Sequence, residues 1–230
     1  MTITKILIRT VTASSFAILL AQADVAWAKS KKIQIAVLDS PPGHEHSKKI
    51  IEILDDASND VQLFPIYDRN GNLTQAKFLQ AIEDAKNSGA QIIQLSWNAR
   101  YEDGYKTILA KLNEFASTSI LVGAAGSGLG FNGTPLKLKE TVVGRISKAI
   151  IIGELNEKGF LDPRSSYGPE LLTALPEVGN NAGSSFTSAQ FTKILGQYLV
   201  KHPNFGYPDL IQAKVNSMSR FPSVDSLFKK

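Results

Sequence analysis

Residues 33–43 read IQIAVLDSPPG, an apolar run that stops at a turn. The apolar residues through Leu38 predict a short buried strand, and Asp39 followed by Ser-Pro-Pro-Gly predicts the turn that ends it. The same order, an apolar run and then turn-forming residues, recurs at residues 61–66, 90–95, 119–123 and 148–153. The chain is therefore predicted to contain several short strands that are buried on both faces.

Segments with a helical spacing of apolar residues lie between these strands. They are a helix from His46 to Leu54, a helix over residues 75–88 capped by Thr74, a helix over residues 105–116, and a last helix that ends at Lys201. The connections are too long for hairpins, so the strands are predicted to pair mostly in parallel. We therefore predict one α/β domain, with a mostly parallel central sheet and helices on both faces.

The composition excludes several classes of protein. The 230 residues include no cysteine, which excludes a disulfide-stapled small domain and a cysteine-ligated zinc or iron–sulfur module. Hydrophobic residues make up 43% of the chain, which is ordinary for a globular core and too high for a disordered tail. Lys and Arg (25) barely outnumber Asp and Glu (21), and no basic block is interleaved with aromatic residues, so nucleic acid is not the expected partner.

The N-terminal 28 residues have the features of a secretory signal peptide. Lys5 and Arg9 precede an apolar, small-residue run at 11–21, and residues 26–28 read AWA, which matches the small residues of a cleavage site. We predict cleavage after Ala28, which leaves residues 29–230 as a secreted or periplasmic domain without stable membrane insertion. The alternative is an uncleaved membrane anchor, although the run is short for a span and is interrupted by Thr and Ser.

Polar residues stand where three of the predicted strands end, namely Asp39, Ser96 and the run Gly126-Ser127-Gly128. In open parallel sheets, ligand sites form at the carboxyl ends of the strands. The same residue types also form the turns that must follow any strand. These positions are therefore candidates for a site, and their placement alone does not separate the two interpretations.

Two histidines, His44 and His46, follow Asp39 closely. An imidazole beside a carboxylate can act as the general base for a hydroxyl nucleophile. The pair could equally lie in a solvated loop or form a weak metal site, because two histidines without a third ligand are poor support for zinc. The hydroxyl candidates are Ser184 and Ser185 at the start of the last helix, where either one could instead be the helix cap.

Six segments in collinear order carry a resemblance to one family. They are residues 35–40, IAVLDS; 46–50, HSKKI; 90–96, AQIIQLS; 120–126, ILVGAAG; 165–171, SSYGPEL; and 183–189, GSSFTSA. Together they resemble the subtilisin-like serine proteases, whose triad residues occur in the order Asp, His, Ser. The resemblance implies a three-layer fold and a secreted endopeptidase with a polypeptide substrate, a monomeric chain and no cofactor.

The resemblance also implies a role for each candidate residue. Ser185 is the nucleophile, His46 the general base, and Asp39 the carboxylate that orients the imidazole. His46 is preferred to His44 because the family places an apolar residue four positions after its histidine, as Ile50 does here. The residues expected to line the substrate-binding cleft are Ser96, Trp97, Asn98, Ala125 and Gly126, and Ser127 takes the position of the oxyanion-hole asparagine.

Several departures from the family pattern bear on activity. Ser127 replaces the two-donor amide of an asparagine, and Ser47 replaces the glycine of the histidine motif. Trp97 is predicted to narrow or cover the pocket that takes a large apolar side chain. Only six residues separate the triad aspartate from the histidine, fewer than in relatives. Only Lys29–Lys32 lie between the predicted cleavage site and the first strand, where relatives carry a folding propeptide. The alternative function is therefore a pseudoprotease that keeps the fold and binds peptide segments without cleaving them.

Two ligand-binding motifs have weaker support. Residues 128–133, GLGFNG, match a dinucleotide-binding GxGxxG after a strand, but residues 134–137 do not open a convincing helix, so a loop is predicted. No Asp/Glu cluster has the spacing of an EF-hand. Calcium therefore stays possible without support from a motif, and no other metal is predicted.

Overall fold

The computed structural model describes residues 32–68, 70–177, 179, 181–217 and 222–228. In this part of the chain, six parallel strands form one sheet in the order β2-β1-β3-β4-β5-β6. The strands are β1 (Ile33–Asp39), β2 (Asn59–Pro65), β3 (Ile92–Leu95), β4 (Ile120–Ala124), β5 (Ala149–Leu155) and β6 (Leu171–Pro176). The predicted parallel sheet is therefore confirmed.

Helices cover both faces of this sheet. They are α1 (Glu45–Leu54), α2 (Gln75–Asn87), α3 (Lys106–Ala116), α4 (Ser184–Lys201), α5 (Tyr207–Asn216) and α6 (Val224–Leu227). One core lies under α2 and α3, with Phe78 and Leu112 fully buried against the sheet. The second core lies under α1 and α4, with Ile50 and Phe191 fully buried. The α/β fold with three layers is confirmed by this arrangement.

Three elements were not predicted from the sequence. Strand β6 is an edge strand that ends at Pro176, and proline is tolerated there because an edge strand leaves some of its N–H groups unpaired. Helix α5 buries only Leu210, so its apolar periodicity is weak. Helix α6 has four residues, too few for a periodic pattern. The cap predicted at Thr74 is confirmed, since its side chain accepts a hydrogen bond from the Lys77 N–H.

The strand order determines where a site can form. The chain passes from β1 outward to β2, then returns to place β3 on the opposite side of β1. At such a reversal, the connections leave in opposite directions and a crevice opens at the carboxyl ends of β1 and β3. Asp39 ends β1 and Ser96 follows β3, so both residues lie at this crevice.

The predicted signal peptide, residues 1–28, lies outside the described residues. Residues Lys32–Lys230 group as one unit. Within the ranges that the structure describes, we find no helix with the length and apolar character needed to cross a membrane.

Candidate active site

The carboxylate of Asp39 holds the ring of His46. Asp39 is the last residue of β1 and is 3% exposed, and His46 lies in the first turn of α1. The Nδ1 atom of His46 lies 2.9 Å from Oδ1 and 3.0 Å from Oδ2 of Asp39. A carboxylate only accepts, so Nδ1 carries the proton of this bond and Nε2 of the neutral ring is left as an acceptor. The backbone N–H and the hydroxyl of Ser40 also donate to Oδ1, at 2.5 and 2.7 Å.

The turn between β1 and α1 decides which histidine faces Asp39. His44 is the N-cap of α1, and its Nδ1 accepts a hydrogen bond from the His46 N–H at 3.3 Å. The buried hydroxyl of Ser47 donates to the carbonyl oxygens of Pro41, at 2.9 Å, and of His44, at 3.0 Å. Ser47 therefore closes the turn, and the six residues between the aspartate and His46 are enough to bring the two side chains together.

The two candidate serines have different partners. Helix α4 begins at Ser184, and its N-cap is Gly183, whose φ of 132° is a conformation that favours glycine. Neither serine is therefore the cap. The buried Ser184 Oγ accepts from the Gly126 N–H at 2.8 Å, whereas the half-buried Ser185 hydroxyl donates to the Ser96 carbonyl oxygen at 3.2 Å.

Ser185 and His46 belong to neighbouring segments. The ring of Phe186, the next residue after Ser185, packs against the His46 ring with 5.2 Å between centroids. Among the described residues, the hydrogen bond of the Ser185 hydroxyl goes to Ser96 rather than to His46. In a serine nucleophile without substrate, the bond to the base is often long or absent and forms when the substrate binds.

A buried glutamine that sequence reasoning missed links β3 to the first turns of α4. Gln94 is fully buried, and its Nε2 donates to Ser96 Oγ at 3.0 Å and to Ser188 Oγ at 2.8 Å. Its Oε1 accepts from the Thr192 hydroxyl at 2.5 Å, and the Ser188 hydroxyl donates to the Ser185 carbonyl oxygen at 2.9 Å. The signal was available, because a glutamine inside the apolar strand IIQL needs buried partners.

Ser127 follows β4 at the predicted oxyanion position. Its Oγ atom is buried and has no hydrogen-bond partner among the described residues. The backbone there is fixed, since the Ser166 N–H donates to the Gly126 carbonyl oxygen at 2.8 Å and Ser127 pairs with Ser165 in an antiparallel bridge. The Ser127 hydroxyl is thus a buried donor without an acceptor in the part of the chain that the structure describes.

The predicted cleft residues lie at the ends of β3 and β4, where Ser96 and Ala125 are buried. The Trp97 ring packs edge-on against Phe78 at 5.0 Å and against Tyr105 at 5.6 Å, on the face covered by α2 and α3. Trp97 also forms part of the wall of the cavity beside Asp39 and His46, and its role in narrowing or covering the substrate pocket stays a prediction. The Asn98 side chain lies between the ends of β3 and β4 and bonds to the end of β4.

An open cavity of about 420 Å³ lies on the Asp39 side of the site. Its walls include Asp39, His46 and Ser96 together with the rings of Tyr67 and Trp97. Burial, and then the negative charge of Asp39, raise the pKa of the Tyr67 hydroxyl above its usual value. The cavity therefore offers a mostly apolar surface directly beside the Asp39–His46 pair.

A buried carboxyl group supports the loop before α4. Glu154, in β5, is 2% exposed, and its Oε1 accepts from the Gly183 N–H at 2.5 Å. Burial raises the pKa of Glu154, the Gly183 hydrogen bond opposes this, and the charge of Asp162 adds to the increase. The other carboxyl oxygen, Oε2, is buried without a partner among the described residues.

Glu154→Gln should change how stability depends on pH. The folded chain holds the Glu154 proton more tightly than the unfolded chain, so the unfolding free energy should fall as the pH rises from the usual glutamate range through the raised pKa. Glutamine keeps an oxygen that accepts from the Gly183 N–H, but it does not titrate. The unfolding free energy of the variant should therefore fall less over this pH range. Urea unfolding at several pH values would measure the effect, with the exposed Glu157→Gln as control. Equal pH profiles for wild type and Glu154→Gln would contradict this account.

The dinucleotide motif lies in a loop, and each of the two neighbouring histidines has another partner. Residues 128–133 form a loop with a short 3₁₀ turn at Phe131–Gly133, as expected, rather than the start of a long helix. His44 caps α1, and His46 faces Asp39. In the part of the chain that the structure describes, no three His, Cys, Asp or Glu side chains gather as metal ligands would.

Comparison with known proteins identifies relatives of this chain. A model of the subtilase family matches residues 54–219. The match includes Ser127 and Ser185 and begins after Asp39 and His46. A thermostable alkaline protease from Halalkalibacterium halodurans is 26% identical over 166 residues, covering 72% of this chain and 42% of that protein. The chain thus aligns with less than half the length of this curated relative.

Solved structures share the fold at low sequence identity. A cold-adapted subtilisin-like serine proteinase superimposes with a TM-score of 0.64 and 12% identity, covering 83% of this chain and 84% of its own. MycP1 from the ESX-1 type VII secretion system gives 0.63 and 16%, covering 93% and 85%. The prenylagaramide maturation protease PagA gives 0.55 and 18%, covering 90% and 94%. At these identities the likeness establishes the fold.

Proposed function

Since the chain belongs to the subtilase family, we propose that it is a serine endopeptidase that hydrolyses peptide bonds through an acyl-enzyme on Ser185. The observation that carries the proposal is the pairing of His46 with Asp39 at 2.9 Å. Both residues lie outside the matched region of the family model, yet the carboxylate fixes the ring beside the segment that bears Ser185.

The roles of the side chains follow from their protonation. The Ser185 oxygen attacks the substrate carbonyl carbon while Nε2 of His46 takes the hydroxyl proton, and Asp39 stabilises the imidazolium that forms. The oxygen of the tetrahedral intermediate accepts from the Ser185 N–H, which has no acceptor within the helix, and from the Ser127 hydroxyl. His46 then gives its proton to the leaving amine, and water hydrolyses the acyl group by the reverse sequence of proton transfers.

Covalent labelling tests the proposal directly. A fluorophosphonate reacts with a serine only where a base activates the hydroxyl and donors stabilise the oxyanion. We expect purified residues 29–230 to gain the mass of one phosphonyl group on the peptide that contains Ser185. Boiled protein is the control. If the folded protein stays unlabelled, the proposal that it is a serine endopeptidase is contradicted.

A pseudoprotease is the second candidate, and two observations favour it. The Ser185 hydroxyl bonds to the Ser96 carbonyl oxygen, and Ser127 stands where a longer amide donor is expected. Such a protein would bind extended peptides in the crevice without cleaving them. Saturable peptide binding together with no labelling and no hydrolysis would favour this function.

If this protein is a protease with a weakened oxyanion hole, replacing Ser127 with asparagine should raise its peptidase activity. A serine hydroxyl is shorter than an asparagine amide, so it reaches the oxyanion less directly. We expect kcat to rise by about tenfold or more, with little change in KM, because the new donor acts mainly in the transition state. Steady-state hydrolysis of a casein or peptide substrate would measure this. Ser117→Asn, an exposed serine after α3, is the matched control, and unchanged kcat in Ser127→Asn would contradict the assignment.

We further propose that residues 1–28 direct export and are removed, so that residues 29–230 act as a secreted or periplasmic domain. The support is the charged start, the apolar run and the AWA sequence at 26–28. N-terminal sequencing of the protein outside the cytoplasm should begin at Lys29. A chain that keeps Met1 and sediments with membranes would instead indicate an anchor.

A further inference from the structure

A single side chain joins the two strand ends that flank Ser185. Asn98 follows β3, and its Nδ2 donates to the carbonyl oxygens of Ala125, at 2.8 Å, and of Ala124, at 3.3 Å, at the end of β4. Parallel strands separate where their connections leave the sheet, which opens a space between their ends. Here the Asn98 amide spans that space.

The Asn98 amide is held by further hydrogen bonds. Nδ2 lies 3.2 Å from Oγ1 of Thr141, which is fully buried. Oδ1 accepts from the N–H groups of Ala99, at 2.9 Å, and of Val143, at 3.1 Å. Displacing the amide would leave several of these groups unpaired, which is costly when they are shielded from water. The Asn98 side chain is therefore a fixed part of the site.

A second side chain, that of Leu129, fills the space beside Gly126. A Cβ atom added to Gly126 would clash with Leu129 and would lie 3.3 Å from the Cβ of Asn98. Glycine also suits the φ of 86° at this position. The space beside the end of β4 is thus occupied from two directions, by Asn98 and by Leu129.

The Ser185 hydroxyl lies against these two strand ends. Its Oγ is 3.2 Å from the Ser96 carbonyl oxygen after β3, and Oγ of the preceding Ser184 is 2.8 Å from the Gly126 nitrogen after β4. An acyl group attached to Ser185 therefore lies between the strand ends. In the proposed binding mode, the side chain of its last residue enters the space between these strand ends and meets Asn98 and Leu129.

We propose that Asn98 and Leu129 restrict the substrate residue whose carbonyl Ser185 attacks to glycine or alanine. The inference rests on the proposed function and names the substrate class of that site. A larger side chain would have to displace the anchored Asn98 amide. The restriction applies to one substrate position, because the cavity of about 420 Å³ beside Asp39 leaves room for neighbouring residues.

Peptide p-nitroanilides of the form Ala-Ala-Xaa, with Gly, Ala, Leu or Phe as Xaa, test the proposal. We expect the wild-type kcat/KM for Ala to exceed that for Phe by at least about 100-fold. Asn98→Ala and Leu129→Ala should each lower this ratio by at least about tenfold. The matched control is Asn113→Ala, which removes an asparagine bridge to Ser147 and should keep the wild-type ratio.

The possible outcomes separate this inference from the proposed function. The protein is first treated with a fluorophosphonate that carries no amino-acid side chain. A labelled enzyme that hydrolyses the Ala and Phe peptides equally well would overturn the restriction and leave the protease intact. No label and no hydrolysis would overturn both. A wild-type preference for Ala that neither variant changes would overturn the assignment to these side chains. If thermal unfolding shows that Asn98→Ala does not fold, Leu129→Ala alone decides the assignment.

Discussion

Ser185→Ala should lower kcat for peptide hydrolysis by about 10⁴- to 10⁶-fold and abolish fluorophosphonate labelling. The Ser185 hydroxyl is the expected nucleophile, and alanine removes it while leaving the backbone N–H at the start of α4. Substrate should still bind, so KM should change little. The measurement is steady-state hydrolysis of a peptide that the wild-type protein cleaves, together with intact mass after labelling.

The neighbouring serine provides a matched control for this substitution. Ser184→Ala removes a hydroxyl one position away, but that hydroxyl accepts from the Gly126 N–H and has a structural role. We expect Ser184→Ala to remain labelled on Ser185, with a smaller loss of activity. In the double variant Ser185→Ala, His46→Ala, the losses should not add, because the base has no nucleophile left to activate. Loss of labelling in Ser184→Ala with retention in Ser185→Ala would reverse the assignment.

The part of the site that could be predicted from sequence is the part built on a periodic element. The run before Asp39 and the helix that contains His46 have clear apolar patterns, so the strand, the turn and the helix were predicted near their observed bounds. The choice between His44 and His46 depended on a resemblance. In the structure His44 caps the helix that carries His46, and the His46 ring faces Asp39.

Contacts between distant segments could not be predicted in this way. Gln94 and Ser188 are 94 positions apart in sequence, and their bond exists because α4 packs across β3. The positions of Trp97 and Asn98 depend on where the backbone turns after β3, which composition and spacing do not determine. The sequence therefore indicates Trp97 as the residue that narrows the pocket, whereas the hydrogen bonds of Asn98 to the end of β4 are seen only in the structure.

The family comparison and the geometry also support different halves of the site. The family model matches residues 54–219 and therefore includes the segment that bears Ser185. Asp39 and His46 precede that match, and the grounds for their role are the hydrogen bonds between the carboxylate and the ring. A substitution at Asp39 consequently tests the half of the proposed triad that the comparison does not reach.

Asp39→Asn should lower kcat by about 10⁴-fold with little effect on folding. The asparagine oxygen can still accept from the Ser40 N–H and hydroxyl, which turns the amide nitrogen toward His46. This nitrogen takes the place of Oδ2, 3.0 Å from Nδ1, and it only donates, so it favours the ring form that accepts at Nδ1 and carries its proton on Nε2. A ring protonated at Nε2 cannot take the proton of Ser185. The labelling rate and kcat should therefore fall together, while KM and the thermal midpoint stay near the wild-type values.

The control is Asp55→Asn, which changes an exposed aspartate at the end of α1 and should leave kcat unchanged. If Asp39→Asn kept more than about a tenth of wild-type activity, the Asp39–His46 pair would be a structural contact, and the base for Ser185 would have to be sought elsewhere.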